Sequence, residues 1–162
     1  MSVLDKLRLD GKVAVVTGAG RGLGRAMAMA LAEAGCDIVA AARTRAQIEE
    51  TAELARTKSH RSLPVPTDIT DPASVQAMVD AAIAEFGRTG ITVNAIGAGW
   101  TEGMDLLADE DARHQLERYL PGKRLAQPEE IAGAAVHLAS DAAEYLTGGQ
   151  AIWIESGALS HV

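Results

Sequence analysis

The residues with the clearest chemical meaning form one run, Thr17-Gly18-Ala19-Gly20-Arg21-Gly22-Leu23-Gly24. Glycines at this spacing allow a tight turn and let the backbone approach a pyrophosphate. A helix opening at the run would offer the anion unpaired N–H groups and the positive end of its dipole. The run has this meaning only between a buried strand and an amphipathic helix; elsewhere it is a simple turn. Roughly 20 residues further on, a carboxylate would accept from the ribose 2′-hydroxyl of NAD. Counting from Gly22 leads instead to Ala42, with Arg43 next. A guanidinium there would pair with a 2′-phosphate, so the pattern favours NADP over NAD. The other reactive side chains form no comparable constellation. His60, His114, His137 and His161 lack the spacing of a metal site or a triad, and Cys36, alone in the chain, is expected to be a small buried side chain.

The elements needed to position the glycine run are present around it. Val13–Thr17 is a continuous apolar, β-branched stretch, suited to a strand buried on both faces. Leu23, Ala26, Met27, Ala30 and Leu31 recur at helical spacing, and Gly35 stands where that helix would be capped. Asp37–Ala42 is a second strand, and Thr44 with Gln47 has the spacing of a capping box for a second helix reaching about Thr57. Ser62–Thr67 contains Pro64 and Pro66 and is therefore an edge strand. Asp71 as N-cap and Pro72 at the first helical position open a third helix, with a stripe of Val75, Met78, Val79, Ala82, Ile83 and Phe86, ended by Gly87. Ile91–Ile96 is a fourth strand, followed by a loop with Gly97, Gly99 and Gly103. A polar helix about Asp105–Leu120, a helix from Pro128 with Ile131, Ala134, Ala135 and Leu138 on one face, and a last strand Gln150–Ile154 complete the pattern. Strands alternating with helices imply a parallel sheet covered on both faces, and no repeat or linker marks a second domain.

Composition narrows the partners. Fifteen basic against 22 acidic residues give a formal charge of −7, without a basic cluster able to follow a phosphate backbone, so nucleic acid is not an expected partner. No apolar run is long enough to span a bilayer, and the first ten residues carry charges where a signal peptide would be apolar. A cytoplasmic protein without membrane contact is the expectation.

Five segments, in order, resemble landmarks of the short-chain dehydrogenase/reductase family: TGAGRGLG, TDIT at Thr67–Thr70, VNAIGAGW at Val93–Trp100, QPEEIA at Gln127–Ala132 and LTGGQAIWIESG at Leu146–Gly157. The resemblance implies an NADP-binding α/β fold. The glycine run supplies the expected cofactor contacts Gly18, Gly20, Arg21, Gly22, Leu23 and Gly24, with Arg43 at the ribose, and the resemblance adds Asp68 and Ile69 at the adenine. The loop after Ile96, including Gly99, would flank the nicotinamide and phosphates. Thr101 is a substitute for the phosphate-contacting Thr usual where Gly103 stands. Ala98 occupies the place of a customary Pro.

The family also places an Asn-Asn-Ala-Gly strand, a catalytic Ser and a Tyr-x-x-x-Lys helix after the third helix, and none of these is in this chain. The sequence passes from Ala84–Arg88 directly to Thr89–Ile96, so by the resemblance an internal deletion of on the order of 60 residues falls near Arg88-Thr89. Tyr119 stands four residues before Lys123, but Leu120-Pro121-Gly122 breaks any helix that would align the two. No residue is therefore assigned to catalysis.

The expected fold is one shortened, Rossmann-like three-layer domain over residues 1–162. Its sheet is mainly parallel, in the order 3-2-1-4-5, with Ile91–Ile96 beside the first strand. The function expected first is an NADP-binding oxidoreductase relative without catalysis. The alternatives are a non-enzymatic scaffold or interaction module, and an incomplete version of a longer, active reductase. Homo-oligomers are expected through the face Ile131–Leu138 and the strand with Trp153.

Overall fold

The computed structural model describes residues 2–58, 61–87, 95–104, 109–144 and 151–155. A short N-terminal helix, α1 (Val3–Lys6), leads into β1 (Val13–Thr17), α2 (Gly22–Glu33), β2 (Asp37–Ala42), α3 (Arg45–Arg56), β3 (Ser62–Pro66) and α4 (Pro72–Phe86). Then follow β4 (Ala95–Ala98), α5 (Glu110–Tyr119), α6 (Pro128–Ala139) and β5 (Ala151–Ile154). Strands β1, β2 and β3 form one parallel sheet in that spatial order, and β4 and β5 form a parallel pair.

The expected order 3-2-1-4-5 is thus matched on each side of its middle. Its central join falls on the strand Ile91–Ile96, of which residues 91–94 lie outside the described residues; within those described, β1 pairs with β2 and β4 with β5. Helix α6 links the two parts, packing on α2 and touching β4.

Strand alternation sends β1 and β2 side chains to two separate cores. Val16, Ile38 and Ala40 are buried with Ala28, Leu31 and Ala32 of α2 and Ile48 and Ala55 of α3. On the opposite face Val39 and Ala41 are buried with Met78, Ala82 and Phe86 of α4, while Val13 and Val15 are only half-buried. The continuous apolar reading of β1 therefore holds for its chemistry, but one of its faces is only partly covered. Cys36 is 1% exposed, and burial pushes its thiol up to about 12, which keeps it an unreactive packing group.

Local signals place most boundaries. Asp71 accepts from the Ala73 amide, Pro72 opens α4, and Gly87 ends it in the left-handed region at φ 75°. Strand β3 lies at the sheet edge, as its prolines require. The Thr67 amide donates to Ala42 O at 2.9 Å, so alternation turns Pro64 and Pro66 outward, where no amide is needed.

Four expectations need correction. Thr44 is the N-cap of α3 but makes no side-chain cap bond, so the Thr44–Gln47 box does not form. Ile83 on the α4 stripe is 46% exposed. In α2 the buried residues are Ala28, Leu31 and Ala32, with Leu23, Ala26, Met27 and Ala30 half-buried, because the helix meets α6 as well as the sheet. The α6 face with Ile131 and Leu138 is internal, with both residues buried, and so is not a free surface for self-association. Trp153, by contrast, is 66% exposed. The polar helix begins at Glu110, capped by Asp109, and the fourth strand runs from Ala95 through Gly97 to Ala98. The remainder of Ile91–Ile96, Gln150 and the junction at Arg88-Thr89 lie outside the described residues.

Candidate cofactor site

The glycine run forms the turn between β1 and α2, the context that gives it meaning. Gly18 and Gly22 have φ values of 69° and 54°, a region costly for residues with a Cβ. Gly24 is required for a different reason: a Cβ there would run into the carbonyl of Gly18, where the first turn of α2 lies against the loop. Helix α2 starts after Arg21, which is extended and supplies no side-chain cap, and its first turn contains no acidic residue. The first amides of α2 thus have no capping carboxylate or hydroxyl competing with an anion. This geometry fits a pyrophosphate.

Neighbouring elements hold the loop in place. The Ala19 amide donates to Ala41 O of β2 at 3.2 Å, and Ala19 O accepts from Thr51 Oγ1 of α3 at 2.9 Å. The Gln47 side chain lies under Gly20, with Oε1 2.8 Å from where a Cβ would stand. Arg25 of α2 reaches α3, donating to Glu50 at 3.2 and 2.8 Å. Gln47 was read in the sequence only as part of a capping box, and Thr51 was not singled out at all. The signal that could have found Thr51 is a hydroxyl on the buried side of α3, one turn from Ile48 and Ala55, where a polar group needs a partner.

Arg43 is exposed immediately after β2, where the adenosine end of a dinucleotide would lie if its pyrophosphate sat on the loop. Asp68 follows β3. Its carboxyl is held below the ordinary carboxylate range, first by the Thr70 amide at 2.9 Å, then by the Thr70 hydroxyl at 2.7 Å, and also by the nearby charge of Arg43. Ile69 is 67% exposed beside it. The structure therefore gathers the glycine loop, Arg43, Asp68 and Ile69 at the C-terminal ends of β1, β2 and β3.

Gly99 and Thr101 belong to the other part. The Gly99 amide donates to Ile154 O at 2.8 Å, and a Cβ on Gly99 would stand 2.7 Å from that of Glu155. Thr101 is fully buried, bridges to Ala126 and donates its hydroxyl to Gly99 O at 2.8 Å. That engagement makes it a brace for its own loop rather than an open phosphate contact. Trp100 is half-buried.

Tyr119 and Lys123 do not form a helical pair. Helix α5 stops at Tyr119, which is 66% exposed; Lys123 is left-handed at φ 54°, and its ammonium donates to Arg118 O at 2.5 Å. His114 is exposed and His137 half-buried, whereas His60, His161 and Tyr145 lie outside the described residues. Among the described residues there is no group of three or more potential metal ligands, and no helix is long and apolar enough to cross a membrane.

Comparisons with known proteins agree with this arrangement. A D-threitol dehydrogenase of Mycolicibacterium smegmatis is 39% identical over 154 residues, covering 88% of this chain and 58% of that protein. An uncharacterised oxidoreductase of Mycobacterium tuberculosis is 42% identical over 95 residues, covering 59% of this chain and 36% of that protein. The chain spans less than two thirds of the length of the curated relatives it matches. Among solved structures, a short-chain type dehydrogenase/reductase from Mycobacterium marinum superposes with a TM-score of 0.88 at 22% identity, over 97% of this chain and 99% of that one. A 7α-hydroxysteroid dehydrogenase complexed with NADH and 7-oxo-glycochenodeoxycholic acid gives 0.87 at 19% identity, over 97% and 98%. These likenesses establish the α/β Rossmann-like fold. The sequence model described as short chain dehydrogenase matches residues 12–122, and the chain belongs to that family.

Proposed function

We propose that this chain binds NADP(H) in preference to NAD(H) and does not turn over a carbonyl or alcohol substrate by itself. The observation that carries the reading is the uncapped start of α2 under a glycine loop, with Arg43 rather than a carboxylate beyond β2. When bound, the nicotinamide supplies or accepts a hydride; the protein's part is to bind, orient and move protons. Gly18, Gly20, Arg21, Gly22, Leu23 and Gly24 would receive the pyrophosphate, Arg43 the 2′-phosphate, and Asp68 and Ile69 the adenosine end. Gly99 would flank the nicotinamide end.

The relatives' printed activities are oxidoreductions, and hydride transfer between cofactor and a carbonyl or alcohol is the reaction proposed for the longer protein type. In this chain the deletion proposed near Arg88-Thr89 removes the Ser and the Tyr-x-x-x-Lys helix. Among the described residues no aligned acid–base pair remains to supply the roughly 10²–10⁴-fold that positioned proton transfer contributes. A single domain over residues 1–162, cytoplasmic residence and self-association through the strand bearing exposed Trp153 belong to the same reading.

Titration with NADPH and NADH tests it. NADPH should bind more tightly, and Ala42→Asp with Arg43→Leu should reverse the order; equal affinities, or tighter NADH, would refute the role of Arg43. Reduction assays over a broad ketone panel should give no turnover, and Tyr119→Phe should leave that result unchanged. A second reading, an incomplete version of a longer active reductase, is favoured by the relatives' greater length. The intact mass of the natural gene product tests it. A non-enzymatic scaffold, the third possibility, predicts no cofactor binding at all.

A further inference from the structure

We propose that Thr51 is a positioning residue for the phosphate-binding loop, acting from α3 through the carbonyl of Ala19. The inference rests on the reading of that loop as a cofactor site. Thr51 is fully buried, and its hydroxyl lies 2.9 Å from Ala19 O and 3.0 Å from Gln47 O. A hydroxyl carries one proton. The contact four residues back along its own helix is common for a helical threonine, and Gln47 O already receives Arg25 Nη2 at 3.4 Å. The proton is therefore given to Ala19 O, the shorter contact and the one 32 residues away in sequence.

The consequence follows from peptide geometry. The peptides described are all trans, and in a trans peptide the C=O and the following N–H point in opposite directions. Fixing Ala19 O on α3 thus turns the Gly20 N–H away from α3. On its other side the Ala19 amide is fixed to Ala41 O at 3.2 Å. Both peptide groups of Ala19, a residue with no exposed surface, are set before any ligand arrives. The Gln47 side chain against Gly20 closes off movement toward α3. Such preorganisation spares a bound anion the cost of ordering the loop. Without the hydroxyl, Ala19 O would be buried beside a methyl group, and rotation of the Ala19–Gly20 peptide would become the alternative.

Thr51→Val keeps the shape and removes the donor. NADPH affinity should fall about tenfold, the scale of one lost buried hydrogen bond. Adenosine 2′-monophosphate, which has no pyrophosphate, should bind the variant as it binds the wild type. Thr51→Ser should restore NADPH binding, and Thr51→Val, which leaves Ala19 O without its donor, should melt a few degrees below the wild type. A merely structural role would instead lower both affinities in parallel, and that result would overturn the proposal. Unchanged NADPH affinity in Thr51→Val would also overturn it while leaving the cofactor reading intact. Wild-type protein that fails to bind NADPH would overturn both. If Thr51→Val does not fold, Thr51→Ala, which lacks the hydroxyl without adding a methyl beside the carbonyl, is read by the same two titrations.

Discussion

Residues 2–87 and residues 95–155 are built on different terms. In the first region every strand is followed by a helix that covers it, and β1, β2 and β3 pair in continuous parallel register. Two buried clusters hold the helices, and the glycine loop is pinned from β2 and α3. Among the described residues of the second region two short strands pair only with each other, α5 buries none of its residues, and the main attachment to the first region is α6 on α2. The difference shows what a parallel β-α fold needs for autonomy: a strand gains its cover from the helix that follows it, so a complete run of such units is self-supporting. Strands β4 and β5 depend on what lies beside them.

The sharpest way to break this comparison is to cut the attachment. Ile131 is fully buried on α6, and Ile131→Ala should cost about 3 kcal/mol, as large-to-small core changes do. Hydrogen exchange should show protection lost first in 95–155 while β1–β3 keep theirs. Simultaneous loss across both regions would mean that they form one cooperative unit.

Gly24→Ala probes the other side. Its Cβ would press on the Gly18 carbonyl, which is backbone and cannot swing aside. Urea unfolding should show a loss of about 2 kcal/mol, and NADPH binding should disappear. Full stability with full binding would mean that the loop is looser than described, and the contrast between the regions would weaken.

The smallest effect concerns acid. Glu130 at the start of α6 is held at about 2, below its ordinary 4.5, first by hydrogen bonds from Arg124 at 2.7 Å and then by the Gln127 amide at 2.8 Å. Asp141, just past α6, is likewise held below the ordinary carboxylate value by Lys12 at 2.6 Å, which ties this end of α6 to the start of β1. A carboxyl whose pKa is lower folded than unfolded stabilises the fold above its unfolded value, and loses that contribution as pH falls toward its folded value. The Glu130 contribution should be complete above pH 4.5 and fade toward pH 2, and Glu130→Gln should flatten that part of a pH–stability profile. An unchanged profile would show that these exposed pairs are screened.

How far the sequence was legible divides along the same line. The glycine loop and α4 were readable because their determinants are neighbours in the chain: Gly18, Gly22 and Gly24 within one turn, and Asp71, Pro72 and Gly87 at the ends of one helix. The inner face of α6 was recognised as apolar but assigned to self-association, since periodicity shows that a face is apolar and not what covers it. Thr51 was overlooked because its partner, Ala19 O, is a backbone atom brought to it only by folding. The pairing of Ile91–Ile96 with β1 was expected from a topology rule, and most of that strand, residues 91–94, lies outside the described residues. Ile83 completed a helical stripe on paper, yet it lies 46% exposed on α4.

The distribution of aromatic residues gives these experiments a built-in reporter. Trp100 and Trp153 both belong to the second region, and so does the described tyrosine, Tyr119; Phe86 is the first region's only aromatic side chain. Trp153 lies over Gly97 of β4, where a Cβ would strike its ring, and its outer face is open to solvent. Tryptophan emission will therefore follow β4, β5 and their surroundings, while the sheet that carries the glycine loop stays dark. Far-ultraviolet circular dichroism, weighted by α2, α3 and α4, will follow mainly the other region. A melt in which the two signals coincide would describe one transition, and a melt in which emission shifts first would resolve two.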